Sequence, residues 1–194
     1  NKPAGITSHD VVDRLRRITG IRAIGHTGTL DPLATGVLVL CIGKATRLAS
    51  FVESQEKEYV TTVRLGVTSD TYDMTGKMND NVFDRIPEQK EMEIAIQKFI
   101  GTIQQTPPPF SAIKINGERA YKLAREGKAP VMEARTVTIR EIEIKSYAWP
   151  LLILRLVCSK GTYIRSFAHD IGATLGTGGI METLERTRVG HIEV

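Results

Sequence analysis

A twelve-residue stretch near the N-terminus is too broken to form a regular helix or strand. It reads Gly25-His26-Thr27-Gly28-Thr29-Leu30-Asp31-Pro32-Leu33-Ala34-Thr35-Gly36 and combines three glycines with a proline. Glycine adopts backbone conformations that are closed to other residues, and proline cannot donate a backbone hydrogen bond. The stretch therefore predicts a long loop of defined shape that carries Asp31.

Regular elements are predicted on both sides of this loop. Ser8 suits the cap of a helix that ends at Gly20. The apolar stripe of this helix consists of Val11, Val12, Leu15 and Ile18. After the loop we expect a buried strand over residues 37–42, a short helix over 45–52, and a strand that runs through Tyr59, Thr61, Val63 and Leu65.

The second half of the chain predicts further elements of both kinds. An amphipathic helix over residues 88–101 would end at Gly101, with Met92, Ala95, Phe99 and Ile100 inward. Asn116-Gly117 predicts a hairpin turn, and a short basic helix follows at 120–126. Two antiparallel strands, over 137–144 and 151–158, would then precede a last helix over 163–175. No flexible linker divides the chain, which predicts one domain with two halves.

Composition excludes some classes of protein and leaves others open. The longest apolar run, Val37 to Ile42, is far shorter than the roughly 20 residues of a membrane span. Cys41 and Cys158 lie in apolar runs, which predicts buried free thiols and a reducing, cytoplasmic setting. The net charge of +4 does not diagnose a nucleic-acid partner, although residues 1–50 carry seven basic residues against three acidic ones.

The common signatures of hydrolytic and metal chemistry are missing from the sequence. It contains no HExxH, CxxC, Walker-type or GxSxG motif. What remains is Asp31 in the glycine-bearing loop, two tyrosines at Tyr59 and Tyr163, and Arg165 just beyond the second tyrosine. Spacing alone favours a plainer interpretation, in which Asp31 is a turn residue and Arg165 a surface cation.

Four stretches of the chain nevertheless resemble one enzyme family. The stretch from Gly25 through Asp31 to Leu38 resembles the signature of the tRNA pseudouridine synthase B family, in its stand-alone bacterial form. The other stretches are Lys2-Pro3-Ala4-Gly5-Ile6-Thr7-Ser8, Lys57-Glu58-Tyr59 and Lys160-Gly161-Thr162-Tyr163-Ile164-Arg165-Ser166. The resemblance spans the whole chain. Gly179-Ile180 stands where an Ala-His pair is expected, and Glu185 where arginine is usual, which puts local RNA contacts in doubt.

The resemblance implies a role for each matching residue. Asp31 would be the essential carboxylate, Tyr59 the active-site tyrosine, and Arg165 the partner of Asp31. Contacts with RNA are implied for Lys2, His26, Thr29, Tyr163 and Leu184. Within that set, Lys2 would support the catalytic loop or bind a phosphate, His26 would occupy space among the loop bases, and the last two would line the uracil pocket. No cofactor and no metal are required.

The implied reaction isomerises a uridine in the T loop of transfer RNA to pseudouridine, after the base has left its stack. An ionised Asp31 would attack C1′ or C6 or assist formation of a glycal, and the sequence leaves these routes open. Because burial raises the pKa of a carboxylate, we expect backbone N–H groups of the 28–36 loop to bind Asp31 together with Arg165. A phosphate-binding surface is predicted from Lys114, Arg119, Lys122, Arg125 and Lys128.

The resemblance also implies the pseudouridine synthase fold. This is an α/β (α+β) arrangement in which a mixed, mostly antiparallel central sheet is flanked by helices and built from two fused halves. Residues 1–194 would form the catalytic domain, slightly incomplete at its N-terminus and followed in the full protein by a PUA-type RNA-binding domain. We expect a cytoplasmic monomer that binds transfer RNA, needs no protein partner and does not bind membranes.

Three other functions stay open on the sequence. The first is the catalytic subunit of an RNA-guided pseudouridine synthase, although Leu33-Ala34 after Asp31-Pro32 is more typical of the stand-alone form. The second is a non-catalytic RNA-binding protein of the same fold, against which the intact site residues argue. The third is a glycosidase-like hydrolase, which generally needs two carboxylates, and the sequence indicates no convincing second one.

Overall fold

The computed structural model describes residues 1–115, 117–128 and 131–193. Its α-helices are α1 Ser8–Thr19, α2 Ala49–Glu53, α3 Gln89–Gln97, α4 Ala120–Arg125 and α5 Ile164–Thr174, and a 3-10 helix spans Gly43–Leu48. Its strands are β1 Ile24–His26, β2 Thr35–Gly36, β3 Leu40–Ile42, β4 Lys57–Leu65, β5 Val67–Ser69, β6 Met78–Asp80, β7 Gly101–Gln105, β8 Lys114–Ile115, β9 Glu118–Arg119, β10 Arg135–Ala148, β11 Leu151–Cys158, β12 Gly179–Val189 and β13 Ile192–Glu193. Within these ranges, none of the helices has the length and apolar character that crossing a membrane requires.

A seven-stranded sheet organises the molecule. Six of its strands follow the order β13-β12-β4-β11-β10-β7, and β2 pairs with β12 beside this path. The pairing of β2 with β12 is parallel, whereas the other pairings in the sheet are antiparallel. Helix α5 packs against β12 and β4, and α3 packs against α5. The mixed, mostly antiparallel sheet flanked by helices that the sequence predicted is therefore confirmed.

Strand β4 shows why this sequence forms the centre of the sheet. Buried and half-exposed residues alternate along all its nine positions, as expected for a strand with one covered face. The buried face carries Tyr59, Thr61, Val63 and Leu65, the residues predicted for it. Helix α5 adds Phe167 to the same core cluster. Burial of these apolar side chains, at about 25 cal/mol per Å² removed from water, holds the helix on the sheet.

Helix α1 begins one residue earlier than predicted. Thr7, not Ser8, is its cap, and it forms a capping box with Asp10. Ser8 lies inside the helix, where its Oγ accepts from the Leu30 N–H at 2.8 Å and donates to the Leu30 carbonyl at 2.9 Å. The predicted apolar stripe is also too long, because Ile18 near the helix end is 73% exposed. Ser8 therefore connects this helix to the loop that carries Asp31.

Several other predicted elements have different limits in the structure. The strand expected over 37–42 is shorter than predicted, because only β3, Leu40–Ile42, forms there, and the helix expected over 45–52 combines the 3-10 helix with α2. Helix α3 ends at Gln97, and Gly101 opens β7 instead of closing the helix. Strands β8 and β9 pair as the predicted hairpin, while Asn116 of its turn lies outside the described residues. The two strands and the last helix near the end of the chain are confirmed.

The N-terminal segment fastens the glycine-bearing loop to the rest of the fold. Lys2 and Gly36 exchange two backbone hydrogen bonds, of 2.7 and 3.1 Å. The Gly5 N–H donates to the Pro32 carbonyl at 2.8 Å. Because these contacts act together with Ser8, the loop is anchored at several points. Its two ends are short strands, contrary to the prediction, since Gly25 and His26 belong to β1 and Thr35 and Gly36 form β2.

Candidate active site

A cleft of about 490 Å³ opens where the loop meets the centre of the sheet. Its lining comes from the loop, from β4, from the segments 110–112 and 159–165, and from β12. Six of the eight site residues that the sequence predicted line it: Thr29, Asp31, Tyr59, Tyr163, Arg165 and Leu184. The structure thus brings together residues that are up to 155 positions apart in the chain, as between Thr29 and Leu184.

Asp31 and Arg165 form a two-point ion pair at the cleft. Arg165 Nε lies 2.9 Å from Asp31 Oδ2, and Arg165 Nη2 donates to Asp31 Oδ1 at 3.2 Å. The Arg165 side chain is only 8% exposed, whereas the Asp31 side chain is 32% exposed. Such forked contacts fix the orientation of a carboxylate as well as balancing its charge. Asp31 is therefore held in one position beside a fixed cation, with part of its surface open to the cleft.

Arg165 is itself held by two other segments of the chain. Its Nη1 donates to the Thr71 carbonyl at 3.2 Å, and its Nη2 donates to the Phe110 carbonyl at 3.1 Å. The guanidinium therefore joins the loop, the turn after β5 and the segment before β8. Because three distant segments meet at one cation, a shift of any of them would move the carboxylate of Asp31.

A second carboxylate lies behind this pair, contrary to the interpretation of the sequence. Asp73 Oδ2 is 3.7 Å from Arg165 Nε, and its side chain is 5% exposed. Asp73 Oδ1 accepts from Thr71 Oγ1, from the Thr75 N–H and from Thr75 Oγ1, at 2.6–2.9 Å. Asp73 does not line the cleft. It therefore supports the arginine, and the two-carboxylate arrangement of a glycosidase gains nothing from it.

The expected backbone contacts to the Asp31 carboxylate are not formed. Across the described residues, Arg165 is the donor to this carboxylate. The amide hydrogens of the loop are used elsewhere, since Leu30 donates to Ser8, Ala34 to the Asp31 carbonyl, and Gly36 to the Lys2 carbonyl. The prediction was wrong because it assumed full burial of Asp31, and a carboxylate that keeps contact with the cleft needs fewer donors.

Tyr59 forms part of the buried wall of the cleft. Burial raises the pKa of its phenol to about 12, while the nearby Arg186 guanidinium lowers this pKa. A phenol with so high a pKa is neutral at ordinary pH. Tyr59 therefore offers an aromatic face and an O–H group to a molecule in the cleft, and it carries no charge there.

Tyr163 and Leu184 also line the cleft. The Tyr163 N–H donates to Gln105 Oε1 at 2.8 Å, and Gln105 Nε2 donates back to the Tyr163 carbonyl at 3.1 Å. This paired contact fixes Tyr163 just before helix α5. Burial raises the pKa of its phenol too. Together with Tyr59, these side chains give the cleft apolar surfaces suited to a flat ring.

Lys2 is buried, which corrects the expectation that it contacts RNA directly. Its side chain donates from Nζ to the carbonyls of Pro3, Ile6 and Pro32, at 2.7–3.2 Å. The residue is 1% exposed, and burial lowers the pKa of its ammonium group. An ammonium group has three donors, and all three are used here. Lys2 therefore supports the loop from beneath, which is the other role that the resemblance implied.

His26 lies in β1, away from the cleft lining. It pairs with Leu40 of β3, and burial lowers the pKa of its imidazole. Its Nδ1 is buried and has no hydrogen-bond partner among the described residues. The proximity of His26 to Asp31 in sequence did not place its side chain at the same cavity.

The basic segment predicted to bind phosphate is exposed. All five of its basic residues are exposed: Lys114, Arg119, Lys122, Arg125 and Lys128. Arg125 stacks on Tyr121 at 5.7 Å from the ring centroid, and Tyr121 lines the cleft. We call these five residues the basic segment. Their positive charge therefore lies next to the cleft.

The departures from the family pattern lie at two kinds of position. Gly179 and Ile180 are buried where α5 crosses β12. A Cβ atom on Gly179 would lie 2.6 Å from the Ala168 carbonyl oxygen, so this position accepts only glycine without a backbone shift. Glu185 is exposed and paired with Thr35 of β2. The first departure therefore affects packing, and only Glu185 faces outward.

Sequence reasoning missed several residues that shape this site. Thr71, Asp73 and Phe110 surround Arg165, and Lys57 and Arg186 line the cleft. Phe110 contributes only its backbone carbonyl to Arg165. No spacing pattern signals such contacts, because they depend on which segments the fold brings together.

Comparison with known proteins gives consistent matches. The sequence model described as "TruB family pseudouridylate synthase (N terminal domain)" matches residues 16–164. The tRNA pseudouridine synthase B of Clostridium novyi (strain NT) is 49% identical over 189 residues, which are 97% of this chain and 65% of that protein. The protein of the same name from Pelotomaculum thermopropionicum is 44% identical, over 100% of this chain and 63% of that protein. The chain spans about two thirds of the length of these curated relatives.

Two solved structures share the fold. A crystal structure of a Cbf5-Nop10-Gar1 complex contains a chain with a TM-score of 0.76 and 33% identity, over 99% of this chain and 48% of that chain. The structure of an H/ACA RNP bound to a substrate RNA containing 2'-deoxyuridine gives a TM-score of 0.72 and 30% identity, over 99% and 46%. The fold class predicted from the sequence is thereby confirmed.

Proposed function

The chain belongs to the TruB family of pseudouridylate synthases, and from this we propose that it isomerises a uridine in the T loop of transfer RNA to pseudouridine. The curated relatives named tRNA pseudouridine synthase B, at 44–49% identity, support transfer RNA as the substrate. The observation that carries the proposal is the forked Asp31–Arg165 pair, with its carboxylate open to a cleft of about 490 Å³. Pockets for small organic groups have volumes of this order, about 300–1,000 Å³.

Asp31 supplies the anion that the reaction needs. The N1–C1′ bond of the uridine breaks, the base turns, a C5–C1′ bond forms, and the proton on C5 is lost while N1 gains one. Attack at C1′, attack at C6 and assisted formation of a glycal all begin from an ionised carboxylate. Arg165 balances the charge of the Asp31 carboxylate and aims it, since it binds both carboxylate oxygens. Asp73 and the Thr71 carbonyl keep the arginine in place.

The aromatic walls hold the ring while it is detached from the ribose. Tyr59, Tyr163 and Leu184 all line the cleft. A flat pyrimidine can stack on a neutral phenol, and the Tyr59 O–H group can exchange a proton with the ring. A base that is free between the two bond changes needs such confinement, because otherwise it would diffuse away. The walls therefore favour reclosure at C5 over loss of the base.

The uridine must leave its stack before it can reach this cleft. Extraction of a stacked base costs about a few kcal/mol. This cost is offset by further contacts with the RNA: His26 and Thr29 would lie beside the position that the base has left, and the basic segment would bind phosphates. The protein would act as a stand-alone, monomeric enzyme. The matching chain of the Cbf5-Nop10-Gar1 complex is less similar to this chain, at 33% identity, than the tRNA pseudouridine synthase B of Clostridium novyi is, at 49%.

The test is direct. The purified protein is incubated alone with an unmodified transfer RNA, and pseudouridine is mapped along the product. Conversion at one T-loop uridine without guide RNA, partner protein or cofactor is expected. A transfer RNA with cytidine at that position is the control and should yield no pseudouridine. Conversion that needs an added guide RNA would instead select the RNA-guided function, and RNA binding without conversion would leave a non-catalytic binding protein.

A further inference from the structure

Arg186 is a buried cation that has no carboxylate partner among the described residues. It is 2% exposed, lies in β12 and lines the cleft. Its side-chain partners are backbone carbonyls: Nε donates to Val37 at 2.8 Å, and Nη2 donates to Gly28 at 3.1 Å. Burying a guanidinium without a counter-charge is costly. Because this burial is costly, a buried arginine without a carboxylate partner points to a role in the site.

The two carbonyls that Arg186 binds stand at opposite ends of the loop that carries Asp31. Gly28 precedes Asp31 by three residues and Val37 follows it by six, so one planar group spans the base of the loop. Charge-assisted bonds of this kind are shorter and roughly twice as strong as neutral ones. The separation of the two ends is thus set by the width of a rigid guanidinium.

The backbone of Arg186 holds the same loop a second time. The Val37 N–H donates to the Arg186 carbonyl at 2.7 Å, and Arg186 pairs in register with Gly36. A Cβ atom on Gly36, whose φ is +99°, would lie 2.2 Å from the Arg186 carbonyl oxygen. The glycine therefore permits close contact between the loop and β12. Arg186 binds the loop through both its backbone and its side chain.

We propose that Arg186 is a positioning residue for Asp31, holding both ends of the catalytic loop so that the carboxylate meets Arg165 and the substrate at a fixed place. This inference rests on the proposed isomerase function and adds a residue to it. Arg186 also pairs in register with Tyr59 and lowers the pKa of that phenol against the effect of burial. One side chain therefore connects the loop to the aromatic wall of the cleft.

The experiment compares Arg186→Met, Arg186→Lys and the wild-type protein by amide hydrogen exchange and by single-turnover rate. In Arg186→Met, exchange within residues 28–37 should accelerate while the rest of the sheet stays protected. The single-turnover rate at saturating transfer RNA should fall by about 10²-fold, because small misplacement of a catalytic group has effects of that size. The Kd for transfer RNA should stay within about threefold of wild type. Arg186→Lys keeps the charge but cannot span both carbonyls, so it should show the same changes at smaller size.

The matched control is Arg188→Met, on the same strand. Arg188 contacts Glu58 and the Gly190 carbonyl and does not bond to the loop, so exchange within 28–37 should match wild type. Unchanged exchange in Arg186→Met, or a loss confined to Kd, would overturn the inference. Should Arg186→Met fail to fold, Arg186→Lys decides by the same readouts. If the wild-type protein makes no pseudouridine, the proposed function fails, and the exchange experiment still tests Arg186.

Discussion

The cleft around Asp31 and the basic segment both carry positive charge, and they hold it in opposite ways. In the cleft, Arg165 and Arg186 are buried, and each binds groups from distant parts of the chain. In the basic segment, the five basic side chains lie at the surface. A buried cation is fixed by its partners and therefore determines geometry, whereas an exposed cation is mobile and screened by salt. The same charge should thus control turnover in one region and RNA affinity in the other.

The largest effect is expected from Asp31→Asn. The amide cannot act as the anionic catalyst, so turnover should fall by about 10⁴-fold or more, as when other essential catalytic groups are removed. Binding of transfer RNA should change little. Single-turnover formation of pseudouridine and a filter-binding Kd measure the two quantities. Asp80→Asn, an exposed carboxylate in β6, is the control and should behave as wild type. Substantial turnover by the Asp31→Asn variant would refute the role of Asp31.

Arg165→Lys tests whether a buried cation acts through geometry. Lysine keeps the charge but cannot reach both carboxylate oxygens and the Thr71 and Phe110 carbonyls together. We expect the single-turnover rate to fall by about 10²-fold, with the Kd for transfer RNA within about threefold of wild type. A variant that lost affinity and kept its rate at saturating RNA would contradict the contrast between the two regions.

Neutralising the basic segment should have the opposite signature. In the double variant Lys114→Gln, Lys122→Gln, the slope of log Kd against log salt should fall by about 1.4–1.8, if each lysine contacts one phosphate. The rate at saturating transfer RNA should stay at the wild-type value. A titration at several salt concentrations measures the slope. The control is the double variant Lys90→Gln, Lys145→Gln, which removes the same charge at positions that do not line the cleft. Its slope of log Kd against log salt should match that of the wild-type protein. A reduced rate at saturation would break the comparison.

The smallest effect is expected at an exposed pair of similar geometry. Arg85 and Glu91 also form a forked contact, but both side chains are more than one third exposed. The hydrogen bond from Arg85, together with a smaller contribution from the Glu88 N–H, lowers the pKa of Glu91 from 4.5 to about 2. A depressed carboxylate pKa contributes stability above the unfolded value, and this contribution is lost as the pH falls through the folded value. Arg85→Gln should therefore lower the unfolding midpoint slightly at pH 7 and progressively less below pH 4.5. A difference that grew on acidification would contradict this sign.

Local sequence signals predicted much of the fold. The alternation in β4, the two strands near the end of the chain and the helix that follows them all appear as expected. Errors occurred where two local signals compete. Thr7 and Ser8 are both good caps, and only the contact with Leu30 explains why Ser8 lies inside the helix. Gly101 suits the end of a helix, yet pairing with Ile139 makes it the first residue of a strand.

The site was predicted in identity more completely than in arrangement. Resemblance named Asp31, Tyr59 and Arg165, and the structure places them around one cleft. The resemblance could not indicate that Lys2 is buried, or that Asp73 lies behind Arg165. These features depend on carbonyl and carboxylate partners that come from other segments. A pattern along one segment carries no information about them.

The sequence by itself determined a broken, glycine-bearing loop, an alternating strand after it, and a set of residue types suited to one anionic catalyst. The tertiary structure alone decided that the loop would be held at both ends by Arg186 and at its centre by Arg165. The physical reason is the range of each effect. Backbone preference and apolar periodicity act over a few residues, whereas a buried charge is satisfied only by groups that folding brings to it.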